Sequence, residues 1–261
     1  MRARAATAPA PRPLVSVVIA AYNAETTLAR CIDSILDQTY APLELIVVDD
    51  GSTDGTAEVL ARHPHSGSFE VVRLANGGPS RARNQGVEHA SGQILAFFDS
   101  DCHLDARCIE ELVLGLDAAE VASVGGSQSP PADQGELGNA VQRYFEAVGF
   151  MTGYVQGEGT GAIVTTAHNP SCNVLYRREV FEQLGGFDEG LWPGEDVDLD
   201  YRATRAGWRH RFNPRAVIYH YRPASPASLR RMFFSYGRAQ MLLVRRYGPF
   251  RKLHAAALAM L

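Results

Sequence analysis

The chain has 261 residues, 46% of them hydrophobic and 21% charged, with a formal net charge of −4. This length and apolar content suffice for one large core with a small appendage and argue against a disordered chain. The cysteines at positions 31, 102, 108 and 172 form no Cys-x-x-Cys pair and no spaced framework, so free thiols in a reducing compartment are expected, rather than disulfides or structural zinc.

Residues 1–13 are rich in Ala and Pro, carry no apolar core stretch, and read as a flexible tail and not a signal peptide. From Leu14 to Val124, strand-like apolar runs alternate with helix-period segments, the pattern of a mainly parallel sheet covered by helices. The predicted strands are Val15–Ala20, Leu43–Val48, Glu70–Leu74, Ile94–Phe98 and Val121–Gly125. Leu28, Ile32, Ile35 and Leu36 recur at helical spacing, so Glu25–Gln38 is expected as a core-facing helix. Thr53, Asp54 and Ser80 are helix-start residues, and Gly51, Gly55, Gly77 and Gly78 mark tight loops. Periodicity weakens over 126–172, where Gly, Ser, Pro and Gln recur. Only Gly138–Phe150 looks helical there, and the region is a candidate acceptor-side loop. Order returns with a helix at Arg177–Leu184 closed by Gly185-Gly186, a helix at Val197–Ala206, a strand at Ala216–Tyr219 and an amphipathic helix at Ser228–Tyr247.

Two acidic clusters stand out. Asp99-Ser100-Asp101 follows the apolar run Gln93–Phe98, so its carboxylates emerge at the carboxyl end of a buried strand, where open α/β sheets bind ligands. An Asp-x-Asp placed there can hold Mg²⁺ or Mn²⁺ together with a diphosphate, because these hard ions take oxygen ligands and keep phosphate oxygens as partners. The second cluster, Glu195-Asp196, can supply a general base. Tyr22, at the end of the first strand, can stack on a base. Asp50, at the end of the second, can accept a hydrogen bond from a base N–H or a ribose hydroxyl, although viewed alone Asp49-Asp50 reads equally well as a helix cap. The turn Asn76-Gly77-Gly78 before a helix bearing Arg81 and Arg83 suits a diphosphate through backbone N–H groups and arginine forks. Taken in isolation, His220 is more often a satisfied surface histidine than a ligand, and Trp192 and Trp208 are core or rim fillers, Trp192 being close enough to Asp196 in sequence to shape an acceptor site.

Charge is uneven: residues 201–261 hold 13 of the 25 basic residues and none of the 29 acidic ones. Such an end can serve anionic lipid, nucleic acid or the acidic body of its own chain; no nucleic-acid motif accompanies it, and no nucleic-acid partner is expected. Ala255–Leu261 is too short to cross a bilayer and reads as the beginning of a longer apolar segment.

As an ordered set, Val15–Asn23, Val48-Asp49-Asp50-Gly51-Ser52-Thr53-Asp54, Ala82-Arg83-Asn84, Asp99-Ser100-Asp101, Arg177–Phe181 leading to Gly185-Gly186-Phe187-Asp188-Glu189, and Gly194-Glu195-Asp196-Val197-Asp198-Leu199 resemble glycosyltransferase family 2 over roughly residues 14–220. The resemblance implies a GT-A fold, an α/β architecture with a mainly parallel nucleotide-binding sheet, and inverting transfer from a nucleoside diphosphate sugar, with a UDP-sugar favoured. It implies that Ala20, Tyr22 and Asp50 face the base and ribose, Arg83 and Ser100 lie near the diphosphate, and Asp99, Asp101 and His220 hold Mn²⁺ or Mg²⁺. Asp196 is then the base with Glu195 beside it, and Asn173 and Trp192 fall on the acceptor side. Ala20 stands where relatives often carry a hydroxyl residue, and the Gln-x-x-Arg-Trp of processive enzymes is absent, which implies transfer of single sugars. The expected organisation is a tail (1–13), a catalytic domain (14–221) and a basic helical extension (222–261). The expected place is the cytoplasm, peripheral at the inner face of the membrane, with an anionic surface met through residues 228–252 and a lipid-linked or membrane-bound acceptor. Two rivals remain at this point: a haloacid-dehalogenase-type phosphatase, which commonly needs a lysine where this chain has only Lys252, and a non-catalytic nucleotide-sugar-binding or membrane-scaffolding protein.

Overall fold

The structure is a computed structural model and describes residues 12–148 and 161–249. Most of the expected tail, the end of the predicted helix Gly138–Phe150, and the Arg251, Lys252 and Ala255–Leu261 stretch lie outside the described residues.

A nine-stranded sheet organises the chain in the order β3-β2-β1-β4-β8-β6-β9-β5, with β7 paired to β9. Its first half is parallel: β1 (Val15–Ala21) lies between β2 (Leu43–Asp49) and β4 (Ile94–Asp99), and β3 (Glu70–Arg73) is the edge. In register, Ala20 sits opposite both Val48 and Asp99, so the three strands end level and deliver Tyr22, Asp50 and Asp99-Ser100-Asp101 to one edge. Beyond β4 the sheet becomes mixed. β8 (Asn173–Arg177) runs antiparallel to β4 and β6 (Val121–Ser129), while β9 (Arg209–His220) runs parallel to β6 and antiparallel to β5 (Cys102–Leu104) and β7 (Val164–Thr166). The β5–β9 register sets Cys102 opposite His220, which returns the end of the chain's last strand to the acidic turn after β4.

The parallel strands are buried on both faces, and side-chain alternation divides their residues between two cores. Val15, Val17 and Ile19 face α1 (Leu28–Leu36) and α4 (Cys108–Leu114), whose Leu28, Ile32, Ile35, Ile109 and Leu112 complete that layer. Val18, Ile46, Val48 and Phe97 face α3 (Pro79–His89), α6 (Arg178–Gln183) and α7 (Glu195–Arg205). In this second core Phe97, Phe181 and Phe187 lie with ring centroids 5.1 to 5.3 Å apart; Phe187 meets the other two edge-on, and such pairs add about 1 kcal/mol each beyond their buried area. The remaining helices are α2 (Thr56–Arg62), α5 (Glu136–Val148) and α8 (Pro226–Tyr247), the last opened by a Ser225/Ser228 capping box. Among the described residues no helix is long and apolar enough to cross a membrane. The four cysteines are free and buried.

The helix predictions fall within three residues of the observed bounds among the described residues, whereas several strands differ. β9 has twelve residues instead of the predicted four at Ala216–Tyr219, because Arg209, Arg211, Asn213 and Arg215 break the apolar signature while the sheet supplies their hydrogen bonds. β5, β7 and α4 carry too few residues of period to be read from sequence and exist because neighbouring segments complete them.

Gly86 is where α3 comes close to the sheet: a Cβ there would stand 2.4 Å from Val18 Cγ1 and 3.0 Å from Val48 Cγ2. Gly86→Ala is expected to lower stability by about 1–3 kcal/mol in urea unfolding, the usual cost of overpacking, while Gly67→Ala, with open space around it, stays within about 0.5 kcal/mol.

Candidate active site

The site begins with strand ends. Tyr22 follows β1, is 51% exposed, and its ring is free to meet a flat ligand. Ala20 is half-buried just before it. Asn23 adopts a left-handed backbone (φ 52°), and its Oδ1 accepts from Thr53 N at 2.8 Å, which ties the first strand end to the second. Asp50 is buried: its carboxylate accepts from Gly77 N at 2.9 Å, Gly78 N at 2.8 Å and Asn76 Nδ2 at 3.3 Å. Asp50, expected from the sequence to face base and ribose, thus turns its oxygens to the glycine turn in this structure. The carboxylate braces the glycine turn, and the two N–H groups read as a diphosphate cradle are already used.

Arg83, expected from the sequence near the diphosphate, is 4% exposed, and its guanidinium donates to Asp99 Oδ1 at 2.7 Å and to Glu195 Oε1 at 2.9 Å, beside the Phe187 ring. Two buried or half-buried carboxylates thus claim both of its arms in this structure. Arg81, the other arginine of that turn, donates to Ala75 O at 3.1 Å. Glu195 also accepts from Gly194 N. Burial, then the charge of Asp196, push the Glu195 carboxyl up from 4.5 to about 7 against the opposing pull of Arg83.

Asp101, His220 and Cys102 bring their ligand atoms within 4.8 Å of one another. Asp101 Oδ1 lies 3.3 Å from His220 Nε2, and His220 Nδ1 is buried without a hydrogen-bond partner. One carboxylate oxygen and one imidazole nitrogen, half-open to solvent on the Asp101 side, fit a divalent ion of the Mn²⁺ class that draws its other ligands from phosphate. Burial pushes the Cys102 thiol far above its ordinary value. Burial works against charge at Asp101 too, but the attraction and hydrogen bond of His220 prevail and hold its carboxyl below the usual range. Asp99, expected as a second ligand, stands outside this trio with one oxygen committed to Arg83. Ser100 is half-buried in the turn between them.

Asp196 opens α7, with the left-handed Gly194 (φ 108°) as N-cap. Its Oδ2 accepts from Ser171 N at 3.2 Å, its side chain is 20% exposed, and the helix N-terminus favours its negative charge. The next residue, Cys172, borders His220, so Ser171-Cys172 links the base candidate to the metal-binding pair. Trp192, at a cis peptide with Pro193, is 52% exposed on the rim beside Gly194 and can face an acceptor. Asn173, also expected on the acceptor side, is fully buried, and its amide donates to the carbonyls of Ser127 and Ala216 at 3.0 Å each.

α8 covers one side of this site. Its Ala239 and Leu243 approach Gly194, where a Cβ would lie 3.3 Å from each, and Leu243 packs with Leu191 and Val197. Arg246 pairs with Asp188 and, at 3.1 Å, with Asp198, while Tyr247 OH donates to Asp198. Tyr236, read from sequence only as part of the packing side of the helix, is close enough to feel the charges of His220, Arg222 and Asp196.

Residues 16–185 match the family described as Glycosyl transferase family 2. Glycosyltransferase AglE of Haloferax volcanii is 31% identical over 234 residues, covering 88% of this chain and 73% of the relative. Chondroitin synthase of Pasteurella multocida is 38% identical over 200 residues, 75% of this chain and 19% of that protein. Among solved structures, the mannosyltransferase PcManGT from Pyrobaculum calidifontis, in complex with GDP-Man and Mn²⁺, is similar at a TM-score of 0.68 with 24% identity, over 90% of this chain and 65% of that one. S. aureus TarS 1-349 in complex with UDP-GlcNAc gives 0.61 with 19% identity, over 81% of this chain and 59% of that one. The architecture is thus the GT-A fold.

Replacing Arg83 by Met leaves Glu195 and Asp99 without their cation and is expected to cost about 3 kcal/mol at pH 8, above the value of about 7 to which Glu195 is pushed. An acid whose folded pKa exceeds its unfolded value binds its proton more tightly when native, so the stability contributed by Glu195 falls as pH rises from 4.5 toward about 7. Below that window Glu195 is neutral and needs no partner. The cost of Arg83→Met, read from urea midpoints, should therefore shrink markedly at pH 5.5.

Proposed function

Because the chain belongs to glycosyl transferase family 2, we propose that it moves single sugars from a nucleoside diphosphate sugar, a UDP-sugar by preference, to an acceptor hydroxyl with inversion. The observation that carries this reading is the pairing of a half-open Asp101–His220 site with a solvent-reaching Asp196 through the contiguous Ser171-Cys172. Residues 14–221 are the catalytic unit in this proposal, and 222–261 a basic extension of it. GDP-Man or UDP-sugar and Mn²⁺ in structurally similar enzymes support the donor class and the ion.

Tyr22 stacks on the nucleotide base and Ala20 lines the space beside it. Asp101 and His220 hold Mn²⁺ or Mg²⁺, which supplies positive charge against the departing diphosphate, and Ser100 lies at the diphosphate edge. Asp196 takes the acceptor hydroxyl's proton as that oxygen attacks the anomeric carbon. Glu195 is locked to Arg83 and buried, so it is not placed to act as a nucleophile, which supports a single inverting displacement. The phosphatase reading lacks a lysine at the Asp-x-Asp, and the arginine that pairs with Asp99 there is buried against Glu195.

Paired variants test the chemistry. Asp196→Asn should reduce turnover at least ~100-fold while leaving nucleotide-sugar affinity within about 3-fold by calorimetry. Asp101→Ala should lose both turnover and Mn²⁺-dependent donor binding. Wild-type turnover in either variant would assign that role elsewhere.

The inner side of α8 is committed to the protein, and its outer side carries Phe234 (75% exposed) and Met241 (58% exposed) among Arg230, Arg231, Arg238 and Arg245, which make no ion pair among the described residues. This face supports a peripheral seat on anionic lipid, presenting the site to a membrane-bound acceptor in the cytoplasm. Each arginine contributes about 1 kcal/mol near such a surface, screened over a Debye length of ~10 Å at 0.1 M salt. Phosphatidylglycerol vesicles are expected to pellet the protein at 20 mM salt and to release it at 0.5 M, and Phe234→Ser with Met241→Ser should weaken pelleting about 10-fold. Absence of pelleting at low salt leaves α8 a packing element alone.

A further inference from the structure

Behind Asp196 lies a second carboxylate that donor chemistry does not use. Asp196 and Asp200 are four residues apart, one above the other on a single face of α7. The segment 168–171 runs along that face and binds both. Ser171 N donates to Asp196 Oδ2 at 3.2 Å, Asn169 N donates to Asp200 Oδ2 at 2.7 Å, and the imidazole of His168 bridges them, with Nδ1 2.8 Å from Asp200 Oδ2 and Nε2 3.9 Å from Asp196 Oδ2.

Asp200 is 1% exposed and does not depend on His168 for its hydrogen bonds. Besides Asn169 N it accepts from Tyr176 OH, and His210 Nδ1 stands 3.3 Å from its other oxygen. His210 is anchored in turn by Ser123 and by the carbonyl of Asp200. Burial alone would favour the neutral acid, but His210, His168 and Tyr176 outweigh it and hold Asp200 below the usual carboxylate range, so the imidazole of His168 is braced by a fixed anion. A tight turn, in which Thr166 Oγ1 donates to His168 O at 3.1 Å, fixes the backbone beneath it. The ring is 8% exposed, and its far edge is turned toward the one carboxylate of the pair that reaches solvent.

We infer that His168, braced by Asp200, is the positioning residue of Asp196, holding the base carboxylate in the rotamer that meets the acceptor hydroxyl. This rests on the assignment of Asp196 as the base. A side chain that orients a base through a buried anion affects the chemical step and leaves donor binding alone, because the nucleotide contacts and the Asp101–His220 pair lie elsewhere.

His168→Ala is expected to lower kcat 10- to 100-fold with the donor KM within about 2-fold of wild type. His168→Gln places an amide that spans both carboxylates and should recover kcat to within about 5-fold, whereas His168→Asn, one methylene shorter, should not. The Gln/Asn contrast carries the test if the alanine variant fails to fold. Equal kcat in His168→Gln and His168→Asn, or a loss confined to KM or melting temperature, overturns the inference. Asp196→Asn run alongside separates the two readings. If it is inactive while all His168 variants turn over normally, only the positioning role falls; if it is fully active, the base assignment falls and the positioning role with it.

Discussion

The buried guanidinium of Arg83 is the constraint around which the site is built. One arm binds Asp99, where β4 leaves the parallel half of the sheet, and the other binds Glu195, where α7 begins, 112 residues further along the chain than Arg83. A charge placed so far from water is stable only when its partners are fixed and its donors are used. The bridge therefore locks the donor-side turn to the acceptor-side helix, and any shift of α7 relative to β4 would strand a charge. It also decides what Glu195 cannot do. A carboxyl drawn into this pair, and pushed up to about 7 by burial and by Asp196, is part of the frame, and the proposed base is its neighbour.

From that frame the reactive groups reach solvent in two places. The turn after β4 delivers Asp101 to His220 only because β5 pairs antiparallel with the end of β9, which sets residues 101–102 against the last residue of the last strand. α7, started by a left-handed glycine, points Asp196 outward while its next turn buries Asp200 among His168, Tyr176 and His210. The helix thus has one carboxylate for chemistry and another for architecture, one turn apart.

α8 explains the charge asymmetry of the chain. The acid-free end supplies a cation to acids of the rest of the chain, with Arg246 on Asp188 and on Asp198, which Arg202 also pairs, and the hydrogen bond of Arg246 holds Asp188 below its usual range. Its small Ala239 and its Leu243 close over Gly194, so the helix that carries the basic outer stripe is also a wall of the site. Surface electrostatics and site geometry are joined on one element, with the arginines divided between the two faces.

Local sequence is sufficient to read the parallel half of the sheet and the amphipathic helices, because their apolar periodicity is strong and their neighbours only reinforce it. Tyr22, Asp101 and Asp196 were likewise legible, since each stands at the end of a clearly patterned element. What sequence alone could not decide was which polar residues face a ligand and which face each other. Arg83, Asp50 and Asn173 have the side chains of ligand contacts, yet the fold buries all three and sets them against Asp99 and Glu195, against Gly77 and Gly78, and against the carbonyls of Ser127 and Ala216. The His168–Asp200 brace and the twelve-residue β9 were invisible for the same reason. Their partners are distant in the chain, and a buried hydrogen bond between distant residues leaves no local pattern from which it could be read.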